Sequence, residues 1–184
     1  MKLNLGCGTR KFDGFVNADI QPECSPDVLM DMTKPWDMFL DDTFDEIIAY
    51  HVLEHFYWED FIHIIKEIYR VAADDCKVKI EIPHPRHDDY FSDPTHKIPL
   101  VPQTFNLFDR SWVLDVQRKG YGNTPLALYH NVNIIPMEHH RYWDDEIFKK
   151  MSKGEIDQDT LKEMELTHCN IVKAYGINCI VKKL

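Results

Sequence analysis

Positive charge is scarce in this sequence. Lys and Arg number 21 against 31 Asp and Glu, for a formal net charge of −10 over 184 residues. A broad grip on a polyanion needs the opposite balance, so nucleic acid is disfavoured as a partner. Two small basic clusters, Lys149, Lys150 and Lys153, and Lys182 with Lys183, read as solvated surface. No apolar run approaches the roughly 18 residues of a membrane-spanning helix, so no membrane partner is expected. The opening MKLNLGCG enters a strand pattern at once and carries no leader signature. The five cysteines (Cys7, Cys24, Cys76, Cys169, Cys179) are odd in number and form no CxxC pair. That argues against a disulfide framework and points to reduced thiols in a cytoplasmic protein. There is no repeat, low-complexity tract or Gly/Ser linker, and one domain over 1–184 is expected. Hydrophobic residues at 44% and charged residues at 28% suit a folded globular chain.

The first half of the sequence alternates strand and helix signals. Short apolar strands are expected at Lys2–Leu5, Phe15–Ile20, Val28–Met30 and Phe44–Tyr50. A helix follows from about Trp58 to Val71, with Phe61, Ile64, Ile65, Ile68 and Val71 at helical spacing. Lys77–Ile82 reads as a fifth strand stopped by Pro83. This alternation predicts an α/β fold with a mostly parallel sheet and helices on both faces. The region 84–145 has little periodicity and is rich in Pro, His, Asp and aromatic residues. It is expected to be a loop-rich, substrate-facing insertion after the fifth strand, with one short helix at Pro102–Phe108 and a strand-like stretch at Val132–Ile135. Beyond it, Asp159–Met164 reads as a helix. Asn170–Tyr175 and Asn178–Lys182 read as two closing strands joined at Gly176.

Three strand ends carry chemistry. Gly6-Cys7-Gly8 directly follows the first strand, where glycines permit a tight turn and close approach of a ligand to backbone amides. The third glycine of the dinucleotide fingerprint is absent, since Lys11 stands at that offset, and no phosphate-loop Gly-Lys-Ser/Thr follows. Asp19 ends the second strand, where a carboxylate can accept from both hydroxyls of a ribose. Asp31 ends the third, placed to accept from an exocyclic amine while the Met32 amide meets a ring nitrogen. Ligands of open α/β sheets bind at this carboxyl edge.

Leu3-Asn4-Leu5-Gly6-Cys7-Gly8, Val16-Asn17-Ala18-Asp19-Ile20, Asp31-Met32, Phe44-Asp45-Glu46-Ile47-Ile48 and His51-Val52-Leu53-Glu54-His55 together resemble the class I S-adenosylmethionine-dependent methyltransferases, over roughly Met1–Pro99. The likeness is nearest to a compact group with an LGCG…GFVNAD run and a DPTHK-like segment. It implies a Rossmann-like fold, S-adenosylmethionine as cofactor and methyl transfer as activity. By this likeness Gly6, Cys7 and Gly8, flanked by Leu5, meet the methionine part, with His51 at the same end. Asp19 meets the ribose, with Ile20 beside it among the cofactor residues, and Asp31 and Met32 meet the adenine. Only eleven positions separate Gly8 from Asp19, too few for the usual helical crossover, so a loop is expected there. The N-terminal helix that covers the cofactor in larger relatives is not seen, which leaves a shielding homodimer open.

The acceptor side is expected at His84–Tyr90 and Asp93-Pro94-Thr95-His96-Lys97, just past the fifth strand. His96 is the first candidate for a base, Asp93 could orient it, and His51 and His55 are rivals. His84, His87, Asp88, Asp89, Asp93 and His96 match no zinc spacing, so no metal is assigned. The expected acceptor is a small molecule or glycan. An RNA acceptor and a non-enzymatic cofactor-binding module are the alternatives. Base methylation of DNA is disfavoured, because Tyr50-His51-Val52-Leu53 stands where such enzymes carry an Asn/Asp-Pro-Pro-aromatic string.

Overall fold

Short strands buried on both faces need continuous apolar runs, and the first half of the chain supplies them. In the computed structural model, which describes residues 1–184, β1 (Lys2–Leu5), β2 (Val16–Asp19), β3 (Val28–Leu29) and β4 (Phe44–Tyr50) come first, followed by α1 (Trp58–Val71) and β5 (Ala72–Pro83). Leu3, Leu5, Ile47, Ala49, Val78 and Ile82 on these strands are fully buried. Helix α1 places Phe61, Ile64, Ile65, Ile68 and Val71 in the same core, the stripe its spacing predicts. Short helices follow: α2 (Asp88–Ser92), α3 (Pro102–Phe105), α4 (Arg110–Arg118) and α5 (Leu126–Tyr129). The chain closes with β6 (Ile134–Trp143), α6 (Asp145–Ser152), α7 (Gln158–Thr167) and β7 (Val172–Val181).

The sheet order is β3-β2-β1-β4-β5-β7-β6. The pairs among β1 to β5 are parallel, and β7 runs antiparallel to both β5 and β6. This is the Rossmann-like α/β sheet that the sequence pattern predicts. After β1 the chain runs outward to β3, then returns to place β4 on the other side of β1. The reversal makes the carboxyl ends of β1 and β4 a topological switch point, where the crevice of such sheets opens. No helix is long and apolar enough to cross a membrane, and all five cysteines are free.

The crossover from β1 to β2 is a loop, and buried amides hold it in place of a helix. Asn4 on β1 donates to Asn17 Oδ1 on β2 at 2.9 Å and to the Arg10 carbonyl at 3.0 Å. Asn17 in turn accepts from the Phe12 amide and donates to Asp27 and the Phe15 carbonyl. Both asparagines are buried, so this network satisfies backbone groups that a loop would otherwise leave unpaired.

Two expectations about the second half are corrected. The closing segments Asn170–Tyr175 and Asn178–Lys182 form one uninterrupted strand, β7, running through Gly176. Gly176 is there for space, not for a turn: a Cβ would come within 3.0 Å of the Tyr142 ring on β6. The region 84–145 also contains the whole of β6, an edge strand of the sheet. The strand-like stretch Val132–Ile135 is only its start. The segment between β5 and β6 thus ends at residue 133, and four short helices make up much of it.

Candidate functional site

Gly6 turns the chain at the end of β1 with φ +59°, a left-handed conformation costly to any residue with a Cβ. Its neighbour across the switch point is Val52, just past β4. A Cβ at Gly6 would lie 2.4 Å from one Val52 methyl and 3.1 Å from the other. The two strand tips therefore meet as closely as a glycine allows. Gly8, two residues on, donates its amide to Asp19 Oδ2 at 2.7 Å, and the Gln21 amide reaches Oδ1 at 2.9 Å. Asp19 is buried, and these two N–H groups fix its carboxylate at the tip of β2.

The tips enclose a cleft of about 370 Å³ lined by Gly6, Asp19, Ile20, Gln21, Met32 and His51, with Val52, His55 and Phe56 closing one side. Gly6, Asp19, Ile20, Met32 and His51 are the expected cofactor residues that line it. The other four, Leu5, Cys7, Gly8 and Asp31, do not line it. Leu5 is fully buried under the turn, and Cys7 is buried with its Sγ on the Gly8 carbonyl. Burial and the nearby Asp19 carboxylate push the Cys7 thiol up, away from the thiolate. Gly8 acts through its bond to Asp19. Asp31 accepts from the Thr33 hydroxyl and amide through Oδ1, at 2.7 and 2.9 Å, which holds its carboxyl below the usual range. Met32 itself is buried, and its carbonyl accepts from the Trp36 indole at 3.1 Å. Gln21, Val52 and Phe56 line the cleft without a signal in sequence beyond their proximity to Asp19 and to the HVLEH string.

A second, larger cavity of about 560 Å³ adjoins the first. His51 lines both. Its wall includes Glu81, His96, Arg141, Tyr142 and Lys173, drawn from β5, the segment after α2, β6 and β7. His51 holds a left-handed backbone with φ +55°, uncommon for a residue with a side chain and often found at functional sites. Its Nε2 lies 2.8 Å from Glu81 Oε1, and its Nδ1 lies 3.5 Å from Glu54 Oε1. Glu54 first and Glu81 second push the His51 pKa up to about 9. With both carboxylates beside it, His51 is a proton donor at neutral pH, which weighs against the reading of His51 as a base.

His96 is half-buried, with its ring 4.8 Å from that of His55 and 5.1 Å from that of Tyr90 between centroids. Its Nδ1 lies 2.7 Å from the Tyr90 carbonyl. A carbonyl only accepts, so Nδ1 carries a proton, and in the neutral ring Nε2 keeps a lone pair. Asp93 does not contact His96 by a hydrogen bond; its Oδ2 stands 3.9 Å from Nε2. Instead Asp93 Oδ1 accepts from the Thr95 hydroxyl at 2.6 Å and the Thr95 amide at 2.8 Å. The Thr95 oxygen then faces His55 Nδ1 at 2.9 Å. The expected Asp93–His96 pair is thus an Asp93–Thr95–His55 relay beside His96.

Glu54 went unassigned in the sequence. It is fully buried, neither carboxylate oxygen accepts a hydrogen bond, and its backbone carbonyl accepts from the Lys97 and Ile98 amides at 2.7 and 3.3 Å. Those two bonds clamp the DPTHK segment over the end of β4. His84 and His87 lie away from this centre. His84 is packed against Tyr175, and its Nδ1 accepts from the Arg86 amide at 3.0 Å. Burial and the Arg86 charge push its pKa down to about 4. His87 caps α2 by accepting from the Asp89 amide.

No family model matches the sequence, and no curated protein matches it closely. The likeness lies in the fold. A SAM-dependent methyltransferase from Archaeoglobus fulgidus superposes with a TM-score of 0.63 at 17% identity, covering 97% of this chain and 85% of that one. Phosphoethanolamine N-methyltransferase 2 from Haemonchus contortus, in complex with phosphomonomethylethanolamine and S-adenosylhomocysteine, superposes at 0.56 with 12% identity. All of this chain matches 48% of that one, so it spans about half of that enzyme. The cyclase SpnF superposes at 0.52 with 12% identity, covering 100% of this chain and 75% of that one. The chain therefore has the fold of the class I S-adenosylmethionine-dependent methyltransferases. A cyclase shares that fold, so activity has to be argued from the site.

Proposed function

We propose that this protein is an S-adenosylmethionine-dependent methyltransferase acting on a small-molecule or glycan acceptor. The observation that carries the reading is the pair of adjoining cavities that share His51. The smaller sits at the switch point, where three strand tips bring Gly6, Asp19 and Met32 to one cleft. Its residues fit the methyl donor. The Gly6 turn leaves room where any Cβ would close it, Asp19 presents an oriented carboxylate for ribose hydroxyls, and Met32 offers an apolar wall for adenine. When bound, S-adenosylmethionine supplies an electrophilic methyl group on a sulfonium.

The larger cavity is the acceptor site. Its volume of about 560 Å³ falls in the range of small-molecule sites, and its wall mixes Arg141 and Lys173 with Glu81 and Tyr142. Such a wall grips a polar molecule by a few placed charges. The net charge of −10 disfavours RNA as the acceptor. In-line transfer asks the protein chiefly to hold the acceptor atom on the axis of the breaking bond. The His96 Nε2 lone pair provides a proton acceptor on that side of His51, and the Asp93–Thr95 pair holds its neighbour His55 in place.

Isothermal titration with S-adenosylhomocysteine tests the first half. Saturable binding at one site per chain is expected, and its absence at millimolar ligand removes the reading. The second half is tested by following S-adenosylhomocysteine release from S-adenosylmethionine across panels of hydroxyl, amine and glycan acceptors. Binding without turnover on any panel, or turnover only with RNA, overturns the acceptor assignment.

A further inference from the structure

We propose that Glu54, His55 and His96 form a divalent transition-metal site at the junction of the two cavities. Their donor atoms lie within 4.8 Å of one another. Two imidazoles and one carboxylate make up a ligand set suited to Mn²⁺, Fe²⁺, Co²⁺ or Zn²⁺, and ill suited to Ca²⁺ or Mg²⁺, which prefer all-oxygen shells.

Three observations point to a cation. The first is the orphaned carboxylate. Glu54 has no exposed surface and no hydrogen bond to either oxygen; the nearest ring nitrogens are His51 Nδ1 at 3.5 Å and His96 Nε2 at 3.9 Å. A buried carboxylate needs a positive partner, and the His51 ring beside it makes no hydrogen bond to it and is bonded to Glu81 instead, at 2.8 Å.

The second is the tautomer of each histidine. His96 Nδ1 donates to the Tyr90 carbonyl, which leaves Nε2 as a lone pair on the Glu54 side. The Thr95 hydroxyl spends its one proton on Asp93 Oδ1, so its oxygen accepts from His55 Nδ1. His55 Nε2 is then also a lone pair. In the neutral rings Nε2 of each is thus bare, and Nδ1 is held by the kind of outer partner that metal-bound histidines commonly have: a backbone carbonyl for one and a carboxylate-backed hydroxyl for the other.

The third is position. His96 lines the larger cavity and His55 the smaller, so an ion among the three donors faces both. Bond lengths of about 2.0–2.2 Å require the donors to draw in by roughly 1 Å, a shift within reach of side-chain rotation. With an ion bound, the His96 Nε2 lone pair is a ligand and no longer a free proton acceptor, and three protein ligands leave open positions for an oxygen of the acceptor. That role rests on reading the larger cavity as the acceptor site, whereas the metal site itself does not.

The test uses full-length protein stripped with chelator, then titrated with MnCl₂ and followed by loss of the free Mn²⁺ paramagnetic resonance signal. CoCl₂ provides a visible spectrum that reports coordination. One ion per chain is expected, with Glu54→Gln and His55→Ala each abolishing binding. His55 is only half-buried, so its variant keeps the test sound should Glu54→Gln fail to fold. Thr95→Val, which removes the partner of His55, should weaken Mn²⁺ binding by about 10–100-fold and shift the cobalt spectrum, with Thr95→Ser restoring both. No saturable binding of either ion, or binding unchanged in Glu54→Gln and His55→Ala, overturns the proposal. S-adenosylhomocysteine titrations of the unsubstituted protein keep the outcomes apart, because cofactor binding without metal binding overturns this proposal alone.

Discussion

Replacing Gly6 with alanine tests the packing on which the cleft depends. Two separate penalties arise. A residue with a Cβ at φ +59° pays about 1–2 kcal/mol for the left-handed conformation. The new Cβ also meets Val52 Cγ2 at 2.4 Å, Cγ1 at 3.1 Å and Cβ at 3.3 Å. Since all three valine carbons crowd the same point, rotating χ1 exchanges one clash for another, and the strands themselves must part. Overpacking of this kind costs about 1–3 kcal/mol. Gly6→Ala should therefore destabilise by about 2–5 kcal/mol, measured by urea unfolding. Gly8→Ala is the internal control. Gly8 has φ +48° with nothing within 4 Å of a Cβ, so only the conformational cost of about 1–2 kcal/mol applies. Adding Val52→Ala to Gly6→Ala should recover part of the difference as a favourable coupling. Because Val52 also lines the cleft, Gly6→Ala should weaken S-adenosylhomocysteine binding as well. Equal losses in the two glycine variants, or no coupling to Val52, would refute the claim that β1 and β4 meet at van der Waals contact here.

Asp19→Ala should weaken binding of S-adenosylhomocysteine by about 1–3 kcal/mol, through loss of charge-assisted bonds to ribose; unchanged affinity by titration calorimetry would move the ribose elsewhere. His84 sets an acid-side dependence of stability. Its folded pKa of about 4 lies below the ordinary 6.5, so between those values the unfolded chain binds the proton first and stability falls as the pH falls from 6.5 toward 4. The loss is bounded at about 3 kcal/mol and reduced by water screening to about 1–2. His84→Asn keeps an acceptor for the Arg86 amide and should lose less stability between pH 7 and pH 5; an equal loss in urea melts would exclude His84 as the cause. Asn17→Leu removes the partner of Asn4, the Phe12 amide and Asp27 at once and should destabilise by about 2–4 kcal/mol; a thermal midpoint within a degree or two of wild type would show that the loop does not rely on these amides.

The parts of the fold legible in sequence share one cause. β1, β2, β4 and β5 are buried in the sheet and need apolar runs, and α1 needs one apolar stripe, so both leave periodic traces. β6 leaves none. As an edge strand its middle is exposed, and Pro136, Glu138, His139, His140 and Arg141 read as loop. Gly176 misled for a related reason. A glycine in sequence does not say whether it serves φ or space, and here the ring of Tyr142 decides for space.

The same division runs through the site. Gly6, Asp19 and Met32 follow successive strands, and the parallel sheet brings strand ends together by construction, so their meeting could be read from order along the chain. Nothing along the chain brings His51 to Glu81, thirty residues away, or His96 to Glu54 and His55. Those contacts exist because β5 lies beside β4 and because the Glu54 carbonyl clamps the segment after α2 across the end of β4. The sequence determined which strands form and which residues stand at their tips, since burial and backbone geometry are local demands. Only tertiary structure decided which carboxylate is buried without a hydrogen bond and which imidazole nitrogens face it, because desolvation and hydrogen-bond satisfaction depend on neighbours from distant parts of the chain.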